Sequence, residues 1–264
     1  MGCGDMALTE DQFIRYVRQI LLDEVGAEGQ QRLLDARVLV VGVGGLGVPL
    51  ASYLAAAGVG TLGVADGDKI MLSNLHRQIA YTTTDIGKPK TARLARRINE
   101  NNPGVLVTEH TRLCADNIAE IVACYDLVAD GCDNFPTRYL VNAACVQACK
   151  PLVSAALSRF TGELAAFVPG GACYQCVWPQ IPDRNTTQGC VEGGILGPMA
   201  GLLGCWQALE VLKQILNLPA RLDSEMVIFD GLGDVSRRIR LRRNDSCSTC
   251  GERHGTDTLL RSIA

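Results

Sequence analysis

The chain has 264 residues, of which 47% are hydrophobic, and a formal net charge of −3 at pH 7. This length and composition suit one sizeable α/β domain, and we interpret residues 1–264 as a single domain. A mildly acidic chain without a basic stripe argues against nucleic acid as the main partner.

Neither secretion nor membrane insertion is expected. Residues 1–30 lack an uninterrupted apolar core and a small-residue cleavage site, so they do not read as a secretory signal. Residues Val38–Ala65 carry no charge, but a glycine-rich turn and Pro49 interrupt them, which favours a buried strand–helix–strand unit over a membrane span. In a chain of this size, 12 cysteines without a signal indicate thiols and metal ligands, and therefore a reducing cytoplasm.

The first predicted element is an amphipathic helix over residues 10–22, with Arg15 and Arg18 beside its apolar positions. Strand and helix patterns then alternate. After the first strand–helix–strand unit come a helix over 88–99, a strand over 105–110, a helix over 115–123, a strand ending at Asp130, a helix over 136–149 and a strand over 151–157. This order predicts an α/β fold with a Rossmann-like, doubly wound, mostly parallel sheet, and ligands beyond the carboxyl ends of its strands.

The pattern changes after Gly162. Three segments read as strands, at 163–169, 226–230 and 237–243, and a long apolar helix over 198–216 lies between the first and the second. We expect them to form an antiparallel C-terminal extension of the sheet. Residues 179–192 are polar and weakly periodic, which predicts a mobile loop.

A glycine-rich turn follows the first predicted strand. Gly42, Gly44 and Gly47 have the G-x-G-x-x-G spacing that lets a backbone approach phosphates and aims the next helix at them. Gly45 leaves a further backbone amide unobstructed. Asp66 ends the second strand about 20 residues on and can accept hydrogen bonds from ribose hydroxyls. A nicotinamide or flavin enzyme would show the same pattern, so it indicates a nucleotide without naming one.

Two cations follow that a dehydrogenase has less need of. Arg77 lies in the segment SNLHRQ, and Lys90 opens the next predicted helix. An arginine fork and a lysine point charge together can neutralise a polyphosphate. As isolated residues, both would be interpreted as ordinary solvated charges.

Two acids, Asp130 and Asp133, stand at the end of the fourth predicted parallel strand. A carboxylate at that edge can hold Mg²⁺ against phosphate oxygens. Alternatively, Asp133 or Asn134 only caps the following helix. Capping alone leaves the second acid without a role.

Four cysteines form two C-x-x-C pairs, Cys173 with Cys176 and Cys247 with Cys250. Four thiolates close a tetrahedral Zn²⁺ shell, so the pairs predict a structural zinc that clips the C-terminal region to the middle of the chain. The alternatives are a redox pair or unrelated thiols. Cys190 belongs to neither pair; in a loop it can be a nucleophile if its pKa is lowered, although a lone cysteine is more often an ordinary thiol.

Together, GxGGxG, D-x-D, SNLHRQ, GKPK, D-x-x-D-N and the paired C-x-x-C resemble the MoeB/ThiF family, which is related to ubiquitin-activating enzymes. The similarity runs from about Arg15 to Gly251. RYLVN, PLVSA and LGCWQALEVLK are especially similar to the adenylyltransferase part of eukaryotic molybdopterin-synthase sulfurylases. The rhodanese domain of those proteins is not recognisable in the sequence, so we expect a separate sulfur donor such as a cysteine desulfurase or a rhodanese.

The resemblance implies an ATP- and Mg²⁺-dependent enzyme that adenylates the C-terminal Gly-Gly carboxylate of a small ubiquitin-like sulfur carrier, in molybdopterin, thiamine or related biosynthesis. Such a reaction is an in-line displacement at the α-phosphorus, where positioning and charge neutralisation supply most of the rate. The family pattern assigns about 37–156 to nucleotide binding and about 157–251 to carrier and zinc binding. It also implies a homodimer.

By motif, the resemblance implies specific roles. Gly45 meets ATP through its amide, Asp66 holds the ribose, Lys90 contacts phosphate, and Asp133 positions Mg²⁺ with Asn134 beside it. The residues implied to line the nucleotide from SNLHRQ are Ser73, Asn74, Leu75, His76 and Arg77. Arg18 matches an arginine that reaches the ATP of the neighbouring subunit, and Cys190 falls where some relatives have a cysteine proposed to form a thioester or persulfide.

Two alternatives remain open at this point. An NAD-dependent oxidoreductase would use the glycine turn and Asp66 but leaves the cysteine pairs and Asp133 without roles. A non-catalytic scaffold subunit with a vestigial nucleotide site would not need Arg18, Arg77, Lys90 and Asp133 together.

Overall fold

The computed structural model describes residues 8–181, 194–219 and 221–251. Its strands are β1 Arg37–Val41, β2 Thr61–Ala65, β3 Leu106–His110, β4 Leu127–Asp130, β5 Leu152–Ser158, β6 Thr161–Phe167, β7 Glu225–Asp230 and β8 Val235–Arg240. Its α-helices are α1 Glu10–Ile20, α2 Gly26–Asp35, α3 Gly47–Ala56, α4 Lys90–Asn101, α5 Ile118–Ala123, α6 Phe135–Gln147, α7 Tyr174–Val177 and α8 Gly197–Leu216.

The strands form one 8-stranded sheet in the order β3-β2-β1-β4-β5-β6-β7-β8. From β3 to β5 all neighbours pair in parallel, and from β5 to β8 they pair antiparallel. The predicted doubly wound sheet and its antiparallel extension are therefore confirmed. The chain order reverses between β1 and β4, and a crevice for ligands is expected at such a switch point.

Burial on both faces explains why β1 is an unbroken apolar run. Val38 and Val40 point into a core shared with α2, α3, α4 and α8. Leu39 and Val41 point into a second core, shared with α5, α6 and α7. Successive strand residues face opposite sides of a sheet, so a strand covered by helices on both faces needs apolar residues at every position.

Local backbone chemistry moves several boundaries from their predicted positions. Helix α4 begins at Lys90, two residues after the predicted start, because Pro89 disfavours helical geometry at Lys88. Helix α5 begins at Ile118 rather than 115, since the Asn117 side chain accepts the Cys114 N–H (2.9 Å) in a turn. Helix α1 ends at Ile20, with its N-terminus fixed by a Thr9 capping box.

The uncharged segment Val38–Ala65 forms β1, the glycine turn, α3 and β2. Among the described residues, none of the helices combines the length and apolar character that crossing a membrane would need.

Candidate active site

The glycine turn between β1 and α3 can only be made by glycines at two of its positions. Gly42 has φ +79°, in the left-handed region. A Cβ at Gly47 would lie 1.8 Å from the Gly42 carbonyl oxygen, so the start of α3 approaches the turn too closely for any side chain. The residue before α3, Leu46, offers no capping side chain, and the first turn of α3 contains no acid. Such a helix N-terminus suits a phosphate.

A cavity of about 960 Å³ opens at the carboxyl edge of β1, β2 and β4, beside this turn. That volume suits a nucleotide. Of the residues singled out in the sequence, those lining it are Gly42, Gly44, Gly45, Asp66, Ser73, Asn74, His76, Arg77, Lys90, Asp133 and Asn134. The switch point of the sheet therefore brings together residues that are as much as 92 positions apart, from Gly42 to Asn134.

Asp66 is held against the glycine turn by backbone hydrogen bonds. Its Oδ2 accepts the Val43 N–H (3.0 Å), and its Oδ1 accepts the Asp68 N–H (2.8 Å). Burial raises the pKa of the Asp66 carboxyl above its ordinary value, although Lys90 and the two N–H groups act in the opposite direction.

Lys90 is not a solvated charge, because its side chain is only 7% exposed. Its Nζ lies 3.0 Å from Asp68 Oδ2 and 3.8 Å from Asp66 Oδ2. A buried ammonium needs such partners to offset its lost hydration. The lysine thus sits in the cavity wall as a fixed cation.

The segment Ser73–Gln78 folds as a compact turn beside the cavity. Asn74 is buried and its Oδ1 accepts the Met71 N–H (3.1 Å), so this side chain shapes the turn. Arg77 donates from Nη1 to the Ser73 carbonyl oxygen (3.0 Å) and lies 2.7 Å from His76 Nε2. Leu75 packs against the apolar core and is not among the cavity-lining residues, so its predicted contact with the nucleotide stays a prediction.

Three polar residues at the carboxyl end of β4 and just beyond it have different roles. Asn134 caps α6, since its Oδ1 accepts the Thr137 N–H (3.0 Å). Asp133 is exposed and faces the cavity. Asp130 turns inward, where its Oδ2 accepts hydrogen bonds from Arg138 Nη1 (3.1 Å) and Ser154 Oγ (3.0 Å). The capping interpretation therefore holds for Asn134 and leaves Asp133 available for a ligand.

Sequence reasoning missed Arg138, which ties α6 to the sheet. Arg138 is 6% exposed and donates to Asp130, to Ser154 Oγ (2.9 Å), to the Ala155 carbonyl oxygen (2.8 Å) and to the Cys132 carbonyl oxygen. A single cation inside the otherwise uncharged helix α6 was the available signal, because a buried arginine requires a partner.

The two cysteine pairs, one in the middle of the chain and one in its C-terminal region, come together in the fold. The Sγ atoms of Cys173, Cys176, Cys247 and Cys250 all lie within 4.8 Å of one another. Three of the Sγ–Sγ distances are 3.9, 3.7 and 3.3 Å, close to the roughly 3.8 Å expected around a tetrahedral Zn²⁺ with bonds of about 2.3 Å.

Amide groups surround these thiols as they surround metal-bound thiolates. The backbone N–H groups of Asn244 and Thr249 donate to the sulfurs of Cys176 and Cys247, each at 3.4 Å. In the absence of a metal charge, burial raises the pKa of the Cys250 thiol to about 11. Four cysteines at these distances are the donor set of a closed, structural zinc site.

The sequence profile of the ThiF family matches residues 16–249. The chain belongs to the ThiF family. The family resemblance seen in the motifs is thereby confirmed over most of the described residues.

Curated relatives of this ThiF-family protein carry names from sulfur transfer. Mouse "adenylyltransferase and sulfurtransferase MOCS3" is 49% identical over 249 residues, which cover 93% of this chain and 54% of the relative. The "sulfur carrier protein adenylyltransferase" of Thermus thermophilus is 44% identical over 94% of both chains. The "sulfur carrier protein ThiS adenylyltransferase" of Escherichia coli is 43% identical over 92% of this chain and 97% of the relative. The chain thus spans about half the length of the MOCS3 relatives and nearly all of the two bacterial ones.

Solved structures agree on the fold of this ThiF-family protein. Escherichia coli MccB in complex with ATP superposes with a TM-score of 0.75, covers 90% of this chain and 74% of that chain, and is 24% identical. MccB with N-formylated MccA superposes with a TM-score of 0.77 over 90% of this chain and 75% of that chain, again at 24% identity. At this identity the likeness establishes the fold alone.

The cavity of a single chain tests the predicted role of neither Arg18 nor Cys190 in this ThiF-family protein. Arg18 is exposed in the last turn of α1 and is not among the residues lining the cavity of its own chain. Cys190 lies outside the described residues. The roles implied for both stay predictions.

Proposed function

We propose that this ThiF-family protein is an ATP- and Mg²⁺-dependent adenylyltransferase that activates the C-terminal Gly-Gly carboxylate of a small ubiquitin-like sulfur carrier. The observation that carries the proposal is the meeting of a glycine turn, a buried Lys90 and an exposed Asp133 in one nucleotide-sized cavity. Relatives named as sulfur carrier protein adenylyltransferases, at 43% and 44% identity over nearly their whole length, support it.

In this scheme the β1–α3 turn takes the phosphates. The Gly45 amide and the N-terminal N–H groups of α3 would donate to phosphate oxygens, and Asp66 would accept hydrogen bonds from the ribose hydroxyls. Ser73, Asn74 and His76 would complete the nucleotide wall. Binding of ATP rather than a dinucleotide is favoured because the cavity also contains Arg77, Lys90 and Asp133.

The chemical step needs alignment and charge neutralisation. A carboxylate oxygen of the carrier attacks the α-phosphorus in line, the bond to the β-phosphate oxygen breaks, and the products are the acyl-adenylate and pyrophosphate. Negative charge grows on the departing pyrophosphate, which Arg77 and Lys90 would offset. Mg²⁺ held through Asp133 would supply further neutralisation of phosphate charge. No protein nucleophile is required for this step.

The proposed function also requires a carrier, a second subunit and a sulfur donor. Residues of about 157–251 would bind the carrier, and a homodimer would bring Arg18 of each subunit to the ATP of the other. A cytoplasmic enzyme of this kind would obtain sulfur from a separate donor, such as a cysteine desulfurase or a rhodanese, for molybdopterin, thiamine or related biosynthesis. The Cys190 thiolate would then attack the carbonyl carbon of the acyl-adenylate to form a thioester and release AMP; alternatively, after accepting a sulfane sulfur from the donor, Cys190 would attack the same carbon as a persulfide to form an acyl disulfide, again with AMP as the leaving group.

The four clustered cysteines would hold a structural Zn²⁺. Such an ion would join α7 and its N-cap residue to the segment that follows β8, 74 positions later in the chain. Its contribution would be to stability and not to the adenylation step.

The proposal is tested by ATP–pyrophosphate exchange with Mg²⁺ and candidate carriers that end in Gly-Gly. We expect exchange that depends on a carrier and that falls about 100-fold or more in Lys90→Ala, since a fixed cation beside the phosphates is lost. Full-rate exchange in Lys90→Ala would refute the mechanism. Tight NAD(H) binding without exchange would instead support the oxidoreductase alternative, and folded, zinc-loaded protein with neither activity would support the scaffold.

A further inference from the structure

Asp68, the second acid of the D-x-D motif, contacts Lys90 twice. Its Oδ2 lies 3.0 Å from Lys90 Nζ, and its carbonyl oxygen accepts the Lys90 backbone N–H (3.1 Å) at the start of α4. Its own N–H donates to Asp66 Oδ1 (2.8 Å). One residue therefore fixes both the backbone and the ammonium of Lys90 and also orients the neighbouring carboxylate.

Asp68 is the nearer of the two carboxylates that face the ammonium. Asp66 Oδ2 is 3.8 Å away, and each oxygen of Asp66 already accepts a backbone N–H. The Lys90 side chain is a flexible four-carbon stem that is only 7% exposed. The position of its ammonium group therefore depends on the carboxylate at hydrogen-bond distance. That partner is Asp68.

A second cation, Arg112, shares the Asp68 carboxylate. Arg112 Nη2 lies 3.6 Å from Asp68 Oδ1, and its side chain is 77% exposed at the rim of the cavity. Gly67, between Asp66 and Asp68, lets Arg112 approach Asp68, because a Cβ on residue 67 would lie 2.8 Å from the Arg112 Cβ. Asp68 is itself 54% exposed toward a cavity suited to a polyphosphate, where an uncompensated carboxylate would repel the ligand.

We propose that Asp68 is a positioning residue of the adenylation site: it holds the Lys90 ammonium in place for the phosphates, while Arg112 offsets the carboxylate charge that this requires. The proposal rests on the proposed function. It assigns a purpose to three residues that the nucleotide contacts described above do not explain, Gly67, Asp68 and Arg112.

The first experiment separates positioning from folding. In Asp68→Asn we expect kcat for carrier-dependent exchange to fall about 10-fold to 100-fold, because a misplaced cation costs transition-state alignment, while the Kd of ATP measured by calorimetry changes less than about 5-fold. Asp68→Glu keeps the charge within reach of Lys90 and should recover most of kcat. The matched control is Asp126→Asn, because Asp126 is about as exposed as Asp68 (48% against 54%) but pairs with Arg37 (3.3 Å) at the amino ends of the strands; this substitution should leave both constants unchanged.

The second experiment tests the charge balance without any carrier. In Arg112→Gln, calorimetry should show ATP binding weakened about 3-fold to 10-fold, because the Asp68 charge is then uncompensated. The double variant Asp68→Asn with Arg112→Gln should bind ATP as well as Asp68→Asn alone, so the two changes should not be additive.

Distinct results overturn the inference and the proposed function. Wild-type kcat in Asp68→Asn, or an equal loss in Asp68→Glu and Asp68→Asn, would overturn the positioning role. Additive effects of the two substitutions on the Kd of ATP would overturn the charge balance. Wild-type protein that binds ATP but exchanges with no carrier would instead contradict the proposed function, and the calorimetric comparison would still decide the charge balance.

Discussion

The three polar side chains of the motif D-x-x-D-N, at the end of β4 and just beyond it, have separate roles. Asn134 closes the first turn of α6, Asp133 faces the cavity, and Asp130 is 1% exposed and paired with Arg138. The buried ion pair between Asp130 and Arg138 thus supports the turn from which Asp133 faces the cavity. Substitutions in this turn should therefore separate activity from stability.

The comparison of Asp133→Ala with Asn134→Ala tests that separation. Asp133→Ala should lower exchange by on the order of 100-fold with little change in the free energy of unfolding, because its exposed carboxylate has no hydrogen bond or ion pair to another described residue. Asn134→Ala should reduce the free energy of unfolding by about 1 kcal/mol through loss of the cap. Urea denaturation and exchange assays measure both. An Asp133→Ala protein with normal exchange would remove Asp133 from the proposed mechanism.

Protonation of Asp66 should weaken ATP binding at acidic pH. Burial raises the pKa of its carboxyl above 3.8, against the opposing charge of Lys90 and with the Asp68 charge adding to the increase. The protonated carboxyl is a poorer acceptor for ribose hydroxyls, so ATP affinity should fall as the pH drops, beginning at a higher pH than for an exposed aspartate. Calorimetry between about pH 4 and pH 7, a range that lies above the ordinary Asp pKa of about 3.9 because the pKa of Asp66 is raised, should show this loss in the wild type and not in Asp66→Asn.

At the scale of elements, the alternation of strand and helix patterns predicted the order of the strands in the chain and the helices that connect them. This was possible because strands and helices differ in hydrophobic period and because the glycine turn marks the first strand-to-helix connection. The ends were less predictable, since single contacts such as the Asn117 turn decide them. Pairings across the fold could not be read from the sequence. Arg138 with Asp130 and Ser154, and Lys90 with Asp68, depend on how distant segments meet.

The cysteine cluster is the element-scale feature that is simplest to test. Purified protein should contain about one zinc per chain, and Cys247→Ser should lose the metal and unfold at a lower temperature, since the closed shell requires four thiolates. Cys124→Ser is the matched control, because Cys124 is an exposed thiol far from the cluster in sequence. Metal analysis and thermal denaturation decide the matter: zinc retained in Cys247→Ser would contradict a four-cysteine site.

At the scale of the whole molecule, the first helix and its surroundings suggest that the site is shared between subunits. Large apolar side chains on α1 and just after it are exposed, among them Ile14 (64%) and Leu21 (70%). Exposed apolar surface of this kind is typical of an interface, and Arg18 lies within it. We therefore expect a homodimer in which Arg18 completes the partner's site.

Mixing two inactive variants tests the shared site. Arg18→Ala and Lys90→Ala should each be nearly inactive, but a re-equilibrated equal mixture should regain about a quarter of the wild-type exchange, because half of the dimers then contain one complete site. If Arg18 served the site of its own chain, mixing would restore nothing. Wild-type protein taken through the same re-equilibration controls for any loss of exchange activity during the procedure.

The central claim is that a carrier protein is adenylated at its C-terminal carboxylate. The most direct measurement is the intact mass of a Gly-Gly carrier after incubation with the enzyme, ATP and Mg²⁺, beside the same carrier lacking its last glycine. The full-length carrier, and not the shortened one, should gain the mass of AMP less water. An unmodified carrier, across carriers from the molybdopterin and thiamine pathways and with enzyme shown to bind ATP and zinc, would contradict it.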